Sequence, residues 1–94
     1  MELKKFKISE CGDTANEAFF KIQALAQVDI KDRTWNQIAM SDKEWWTMIV
    51  KKEKETVDGC IERFLTQTQC KDMAYCTYAG DGEYVFFGWA KDEV

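Results

Sequence analysis

The sequence predicts an α+β fold: an antiparallel sheet of three to five strands, two helices packed on one face, and a C-terminal β-hairpin. Three observations predict it. An apolar/polar alternation near the N-terminus indicates a strand, a capping box opens a helical apolar stripe, and two apolar runs flank Asp81-Gly82. The sequence shows no linker and no internal repeat, so we expect residues 1–94 to form a single domain.

The first two elements follow from local patterns. Residues 3–9 alternate, which predicts a half-buried strand whose apolar side carries Phe6 and Ile8. Thr14 and Glu17 have the spacing of a capping box, and a helix should follow to about Val28. Its buried stripe is formed by Ala18, Phe19, Ile22, Leu25 and Ala26.

Residues 29–55 allow two interpretations. In the first, a second capping box at residues 41–44 begins a helix that runs to about Thr68. In the second, residues 44–52 form a strand that could pair with residues 33–40, and a charged loop leads to a helix over 56–69. The β-rich run Trp-Trp-Thr-Met-Ile-Val slightly favours the second interpretation.

The hairpin hardly alternates between apolar and polar residues, so both of its faces need cover. A two-residue turn at Asp81-Gly82 predicts one face with Val85, Phe87 and Trp89. It also places Tyr75 opposite Gly88, where the phenol ring should lie over the glycine. The second face then carries Met73, Tyr75, Thr77, Tyr84, Phe86, Gly88 and Ala90.

Three explanations for that aromatic face remain open. Both faces could be buried within the domain, with Trp35, Trp45 and Trp46 as a second layer. The face could be a protein interface, or a platform for a small neutral or cationic ligand held by ring faces. The predicted binding residues are Tyr75, Tyr84, Phe86, Trp45, Trp46 and Met73.

Composition argues against several classes of function. The net charge is −4 and only Arg33 and Arg63 are arginines, a poor match to nucleic acid. The chain has no histidine, the commonest general acid/base and metal ligand. Its four cysteines, at positions 11, 60, 70 and 76, form no C-x-x-C pair, so we expect free thiols and no metal site.

We therefore predict a non-enzymatic protein-interaction module without a cofactor, homodimeric or partner-bound through the aromatic sheet face. The alternative is a small-molecule-binding domain with an aromatic-lined pocket between sheet and helices. Cys11, before Gly12 and the capped helix, is the cysteine that would merit a test for reactivity. No apolar run approaches a membrane span of about 20 residues, and the first ten residues lack a signal-like apolar segment, so we expect a cytoplasmic protein.

Overall fold

The structure is a computed structural model that describes residues 3–28, 35–41, 43, 45–67 and 73–91. None of the helices in these ranges is long and apolar enough to cross a membrane. The elements, in chain order, are β1 (Leu3–Cys11), α1 (Ala15–Val28), α2 (Trp35–Ser41), β2 (Trp46–Met48), α3 (Val57–Leu65), β3 (Ala74–Gly80) and β4 (Glu83–Lys91).

The four strands form one sheet in the order β1-β4-β3-β2, and the α+β prediction is confirmed. β4 runs antiparallel to both of its neighbours, β1 and β3. β2 instead pairs with β3 in parallel, so the expectation of a wholly antiparallel sheet is wrong at this edge. The cause is the connection: a helix, α3, lies between the two strands, and such a crossover joins parallel neighbours.

Helices cover the sheet on both sides. On the α1/α2 face, Phe6, Cys76 and Phe86 are buried beneath α1 and α2. On the α3 face, Val85 and Phe87 are buried with Ile61 and Leu65 of α3, and Tyr75 joins them. The hairpin lacks alternation because both of its sides are buried within the chain. The second layer is thus α3 rather than the three tryptophans that the sequence suggested.

A β-bulge in the hairpin changes the predicted register. Gly80 pairs with Glu83 as expected, but the register shifts at Ala79 and Tyr78 then pairs with Tyr84. The turn itself has positive φ at three successive residues, 103° at Gly80, 54° at Asp81 and 77° at Gly82. A slip of one residue moves side chains to the other face of a sheet, so the side chains of β3 exchange sides relative to the prediction.

Gly88 is covered by a different ring from the one predicted. Phe6 of β1 pairs with Gly88, and a Cβ atom at position 88 would lie 2.9 Å from Phe6 Cε1. Tyr75 lies on the α3 face, where its ring centroid is 4.5 Å from that of Phe64. An aromatic ring therefore does cover the strand glycine, but because of the bulge this ring comes from β1 and not from β3.

The predicted start of α1 is confirmed. The Glu17 N–H donates to Thr14 Oγ1 at 3.1 Å, as a capping box requires. The Glu17 carboxylate accepts from the Asp13 N–H at 3.2 Å, one residue earlier than the usual pattern. Three predicted core residues, Ala18, Phe19 and Ile22, are buried; the side chains of Leu25 and Ala26 lie outside the described part.

The strand interpretation of residues 44–52 is confirmed, because β2 lies inside this range. Residues 33–40 were expected as a possible partner strand, but residues 35–41 form α2 instead. The long helix from residue 41 is also wrong, because β2 lies within its range. α3 begins where predicted: the Thr56 side chain caps it by accepting the Gly59 N–H at 2.9 Å. The helix ends at Leu65, with Thr66 as its C-cap, so the expectation that it continues to residue 69 is wrong.

An ion pair fixes α3 to the loop before it. Arg63 Nε lies 2.8 Å from Glu55 Oε2, and a second guanidinium nitrogen lies 3.1 Å from Glu55 Oε1. The Glu55 side chain is 15% exposed. Hydrogen bonds from Arg63 and from the Lys52 N–H lower the pKa of Glu55 from an ordinary 4.5 to about 2.

This ion pair should make the free energy of unfolding depend on pH in the acidic range. Because the folded-state pKa is depressed, its contribution is fully present above pH 4.5 and is lost as pH falls through about 2. We expect Glu55→Gln to lower the urea midpoint of unfolding at about pH 6. The difference in midpoint between the variant and wild type should become smaller towards about pH 2. Glu53→Gln, at an exposed position in the same loop, is the control. If the difference in midpoint stayed constant over this pH range, the stabilising role of the Glu55–Arg63 ion pair would be contradicted.

Candidate functional site

The predicted binding residues do not form one surface. Tyr75 is 7% exposed on the α3 face, whereas Phe86 is fully buried on the α1/α2 face. The prediction that both line an exposed aromatic face is therefore wrong: the bulge puts them on opposite faces, and helices cover both of these faces. Both side chains belong to the core.

The other four predicted residues are more accessible. Trp45 is 49% exposed, and Trp46 and Tyr84 are half-buried against the α1/α2 core. Met73 is half-buried just before β3, and its sulfur accepts a hydrogen bond from Thr47 Oγ1 at 2.7 Å. Three of the four therefore lie on one side of the sheet.

Large apolar side chains are exposed around these three residues. Phe20 is 57% exposed, Tyr78 47% and Met48 40%, on the same side of the sheet as Trp45. These exposed fractions are unusual for large apolar side chains, since soluble monomers rarely expose contiguous apolar surface. We call this surface the edge patch; its members are Phe20, Trp45, Trp46, Met48, Tyr78 and Tyr84.

The tryptophans of the edge patch are held by α1. Trp45 and Trp46 stack, with ring centroids 6.1 Å apart and planes 18° from parallel. Phe19 of α1 lies 6.2 Å from the Trp45 ring and 5.7 Å from the Phe20 ring. Asn16, in the first turn of α1, accepts the Trp46 indole N–H at 3.0 Å. The rings are therefore fixed before any partner arrives.

The strand register joins the rest of the edge patch to the tryptophans. Met48 pairs with Cys76, whose side chain points to the α1/α2 face, and Tyr78 is the next β3 residue on that face. The Tyr78 ring centroid lies 5.0 Å from that of Tyr84. The Tyr78 hydroxyl accepts the Gly82 N–H at 3.0 Å, which fixes its ring against the turn.

The edge patch borders an open edge of the sheet. β2 is an outermost strand, and no strand in the described part of the chain pairs with its outer side. Trp45 and Ile49 bond to β3 through their backbones at 3.1 and 2.7 Å. Because backbone groups alternate along a strand, those of Trp46 and Met48 face outward. Such an edge can pair with a strand of another chain.

The sequence analysis missed Phe20, Met48 and Tyr78. Phe20 is not part of the predicted buried stripe of α1, and two successive aromatic residues cannot both face the core at 100° per residue. Tyr78 is not among the predicted binding residues, because without the bulge it shares the face of Val85 and Phe87. Met48 sits in the apolar run that predicted β2, and nothing in that run says that the strand lies at an edge.

A cavity of about 530 Å³ lies beside β1, at the opposite edge of the sheet. It differs from the predicted aromatic pocket because three lysines line it together with Phe6 and Trp35. We call it the β1 groove; the residues lining it are Lys4, Lys5, Phe6, Lys7, Trp35, Asn36, Asp58, Ile61 and Glu62.

The described cysteines are free thiols. Cys11 is exposed at the end of β1, and its carbonyl oxygen accepts from Lys21 Nζ at 3.0 Å. Cys60 and Cys76 are buried, and burial raises the pKa of Cys76 to about 12, so this group stays a thiol at neutral pH. Cys70 lies outside the described residues.

The edge patch and the β1 groove are thus the two surfaces with unusual chemistry. Comparison with known proteins gives no match, whether with protein-family models, with curated proteins or with solved structures. The chemistry of these two surfaces is therefore the guide to function.

Proposed function

We propose that this chain is a non-enzymatic protein-interaction module that forms a homodimer through the edge patch. The observation that carries the proposal is the contiguous exposure of aromatic and methionine side chains beside the open β2 edge. Aromatic residues and methionine are enriched at the centres of protein interfaces, whereas charged residues are depleted there. The chain has no histidine, and this composition favours binding over acid–base catalysis.

A second copy suits the edge patch better than a charged partner does. A two-fold interface brings the same surface against itself, so the surface must be self-complementary. None of the six side chains of the edge patch is charged, although the chain has a net charge of −4. Contact through this patch therefore avoids the like-charge repulsion that other surfaces of the chain would bring.

The β2 edge adds a directional element to this contact. The outward backbone groups of Trp46 and Met48 can pair with the same strand of a second copy. A strand of three residues contributes few hydrogen bonds, so the aromatic contacts should provide most of the affinity. We place the module in the cytoplasm because its described cysteines, of which two are buried, are free thiols.

The test is mass in solution, measured by size-exclusion chromatography with light scattering across a dilution series. We expect wild type to form a dimer of the 11.0 kDa chain that dissociates on dilution. Met48→Glu should raise the dissociation constant at least about tenfold, because the two-fold axis brings both new carboxylates into one apolar contact. Circular dichroism should stay unchanged, because Met48 is 40% exposed.

Ser9→Glu is the matched control for this experiment. It adds the same charge at an exposed position on β1, the far edge of the same sheet. We expect its dissociation constant to equal that of wild type. A wild-type monomer at every concentration would overturn the homodimer, and the edge patch would then be tested against other proteins in a pull-down.

A further inference from the structure

We propose that the β1 groove binds a small ligand through a phosphate group. The groove lies between α2 and α3 along the outer edge of β1, which is the edge of the sheet opposite to the edge patch. Its volume of about 530 Å³ lies within the range of small-molecule sites. This site is independent of the homodimer, so either proposal can fail alone.

The groove is a positive region on an acidic chain. Among the described residues, three lysines and two carboxylates line it, which gives these residues one net positive charge, whereas the whole chain carries −4. A cleft lined by an excess of one sign concentrates ligands of the opposite sign. Among small ligands, the groove therefore favours anions.

The lysines of the groove can exchange their present partners for a ligand. Lys5 Nζ lies 3.1 Å from Glu62, and Lys7 Nζ lies 2.8 Å from Asp58. All four side chains are at least 38% exposed, and ion pairs in that setting contribute little to stability. An anion that contacts both ammonium groups would replace two weak contacts with stronger charge-assisted hydrogen bonds.

The α2 wall supplies further donors. Trp35 lines the groove, and its indole Nε1 is buried with no hydrogen-bond acceptor among the described residues. Buried polar groups are nearly always paired, and a bound anion would supply an acceptor for this one. Lys4 Nζ lies 4.7 Å from the Trp35 ring centroid, which brings a third ammonium group to this wall. Asn36 uses its Oδ1 to accept the Lys7 N–H at 3.3 Å, and its NH₂ group remains a donor.

The identity of the cations favours phosphate over carboxylate. The planar fork of arginine suits carboxylates and phosphates alike, whereas the cations among the described residues that line the groove are all lysines. Lysine is a compact charge that commonly binds phosphate. Several lysines around one groove suit the spread charge of a phosphate group.

Titration calorimetry at low salt tests this proposal, with inorganic pyrophosphate and ADP as probes and succinate as the carboxylate comparison. We expect pyrophosphate or ADP to bind with a dissociation constant below about 1 mM, and succinate to bind at least about tenfold more weakly. Equal affinity for pyrophosphate and ADP would mean that phosphate alone is recognised, and tighter ADP binding would mean that the groove also holds the nucleoside; both support the proposal.

Paired variants show whether binding occurs in the groove. Lys5→Gln and Lys7→Gln should each weaken binding by about fivefold or more, whereas Lys52→Gln, exposed before α3, should leave it unchanged. Glu62→Gln should tighten binding, because it releases Lys5, and Glu53→Gln makes the same charge change elsewhere without this effect.

Three results would overturn the proposal. The first is no binding of pyrophosphate or ADP at about 1 mM. The second is an equal loss of affinity in Lys5→Gln and Lys52→Gln, which would indicate unspecific attraction to positive charge. The third is succinate binding as tightly as the phosphate probes. Circular dichroism of each variant separates a loss of binding from a loss of folding.

Discussion

Phe86→Ala should lower the free energy of unfolding by about 3–5 kcal/mol, a large part of the stability of a small domain. Phe86 is fully buried between the sheet and α1, with its ring centroid 6.0 Å from that of Phe19 and 6.5 Å from that of Trp46. Removing the Phe86 ring leaves a cavity between the sheet and α1, and the surrounding residues can fill it only in part. Urea unfolding followed by tryptophan fluorescence measures the effect.

Phe20→Ala makes the same chemical change at the surface and is the matched control. Phe20 is 57% exposed, so we expect a change in unfolding free energy within about 0.5 kcal/mol. It should weaken the homodimer instead, since Phe20 belongs to the edge patch. If Phe86→Ala were as stable as Phe20→Ala, the arrangement of the sheet beneath α1 would be wrong.

Gly88→Ala should lower the free energy of unfolding by about 1–3 kcal/mol, although it adds only one methyl group. The new Cβ atom would lie 2.9 Å from Phe6 Cε1 and 3.0 Å from Phe6 Cζ. Phe6 is 1% exposed and cannot turn towards solvent to make room. The same unfolding assay measures the loss.

A double-mutant cycle identifies Phe6 as the cause. Phe6→Leu shortens the side chain, so the Gly88→Ala change should cost less in this background than in wild type. Strictly additive effects would instead attribute the loss to the strand backbone. Coupling between positions 6 and 88 would also support the arrangement in this structure over the sequence prediction, which placed the Tyr75 ring over Gly88.

The hairpin shows how far local patterns reach. Asp81-Gly82 correctly predicted the turn and the Gly80–Glu83 pair. The bulge at Ala79 was beyond the pattern, because the two-residue turn rule counts no unpaired residue. This single shift exchanged the faces of β3, and with it the set of residues predicted to be exposed. Both faces are apolar, so the hydrophobic pattern could not select the register.

The middle of the chain shows a different limit. The segment that forms α2 was expected to be a strand. Only the short strand and the capped helix after it had local signals that were visible in the sequence. The pairing of this strand was not visible, because β2 finds its partner in β3 across α3 rather than in the segment before it. The partner of a strand depends on contacts far along the chain, which a local pattern does not contain.

The candidate sites were predicted in part. Trp45, Trp46 and Tyr84 do lie on the edge patch, because large aromatic residues in one short run must in part remain exposed. The β1 groove was not predicted. Lys5 and Lys7 alternate with apolar residues along β1 like solvent-facing charges, and Asp58 and Glu62 come from a helix more than fifty residues later. Only the fold brings these charges together.

The position of β4 has a consequence for synthesis on the ribosome. β1 is synthesised well before its partner β4, with Leu3 paired to Lys91. At about 5–20 residues per second, β1 waits several seconds for residues 83–91 to be made. Until then its edge is unpaired, and the α1/α2 core has no sheet to close it. The nascent chain is therefore most exposed to aggregation between the synthesis of β1 and that of β4, when a chaperone would protect it best.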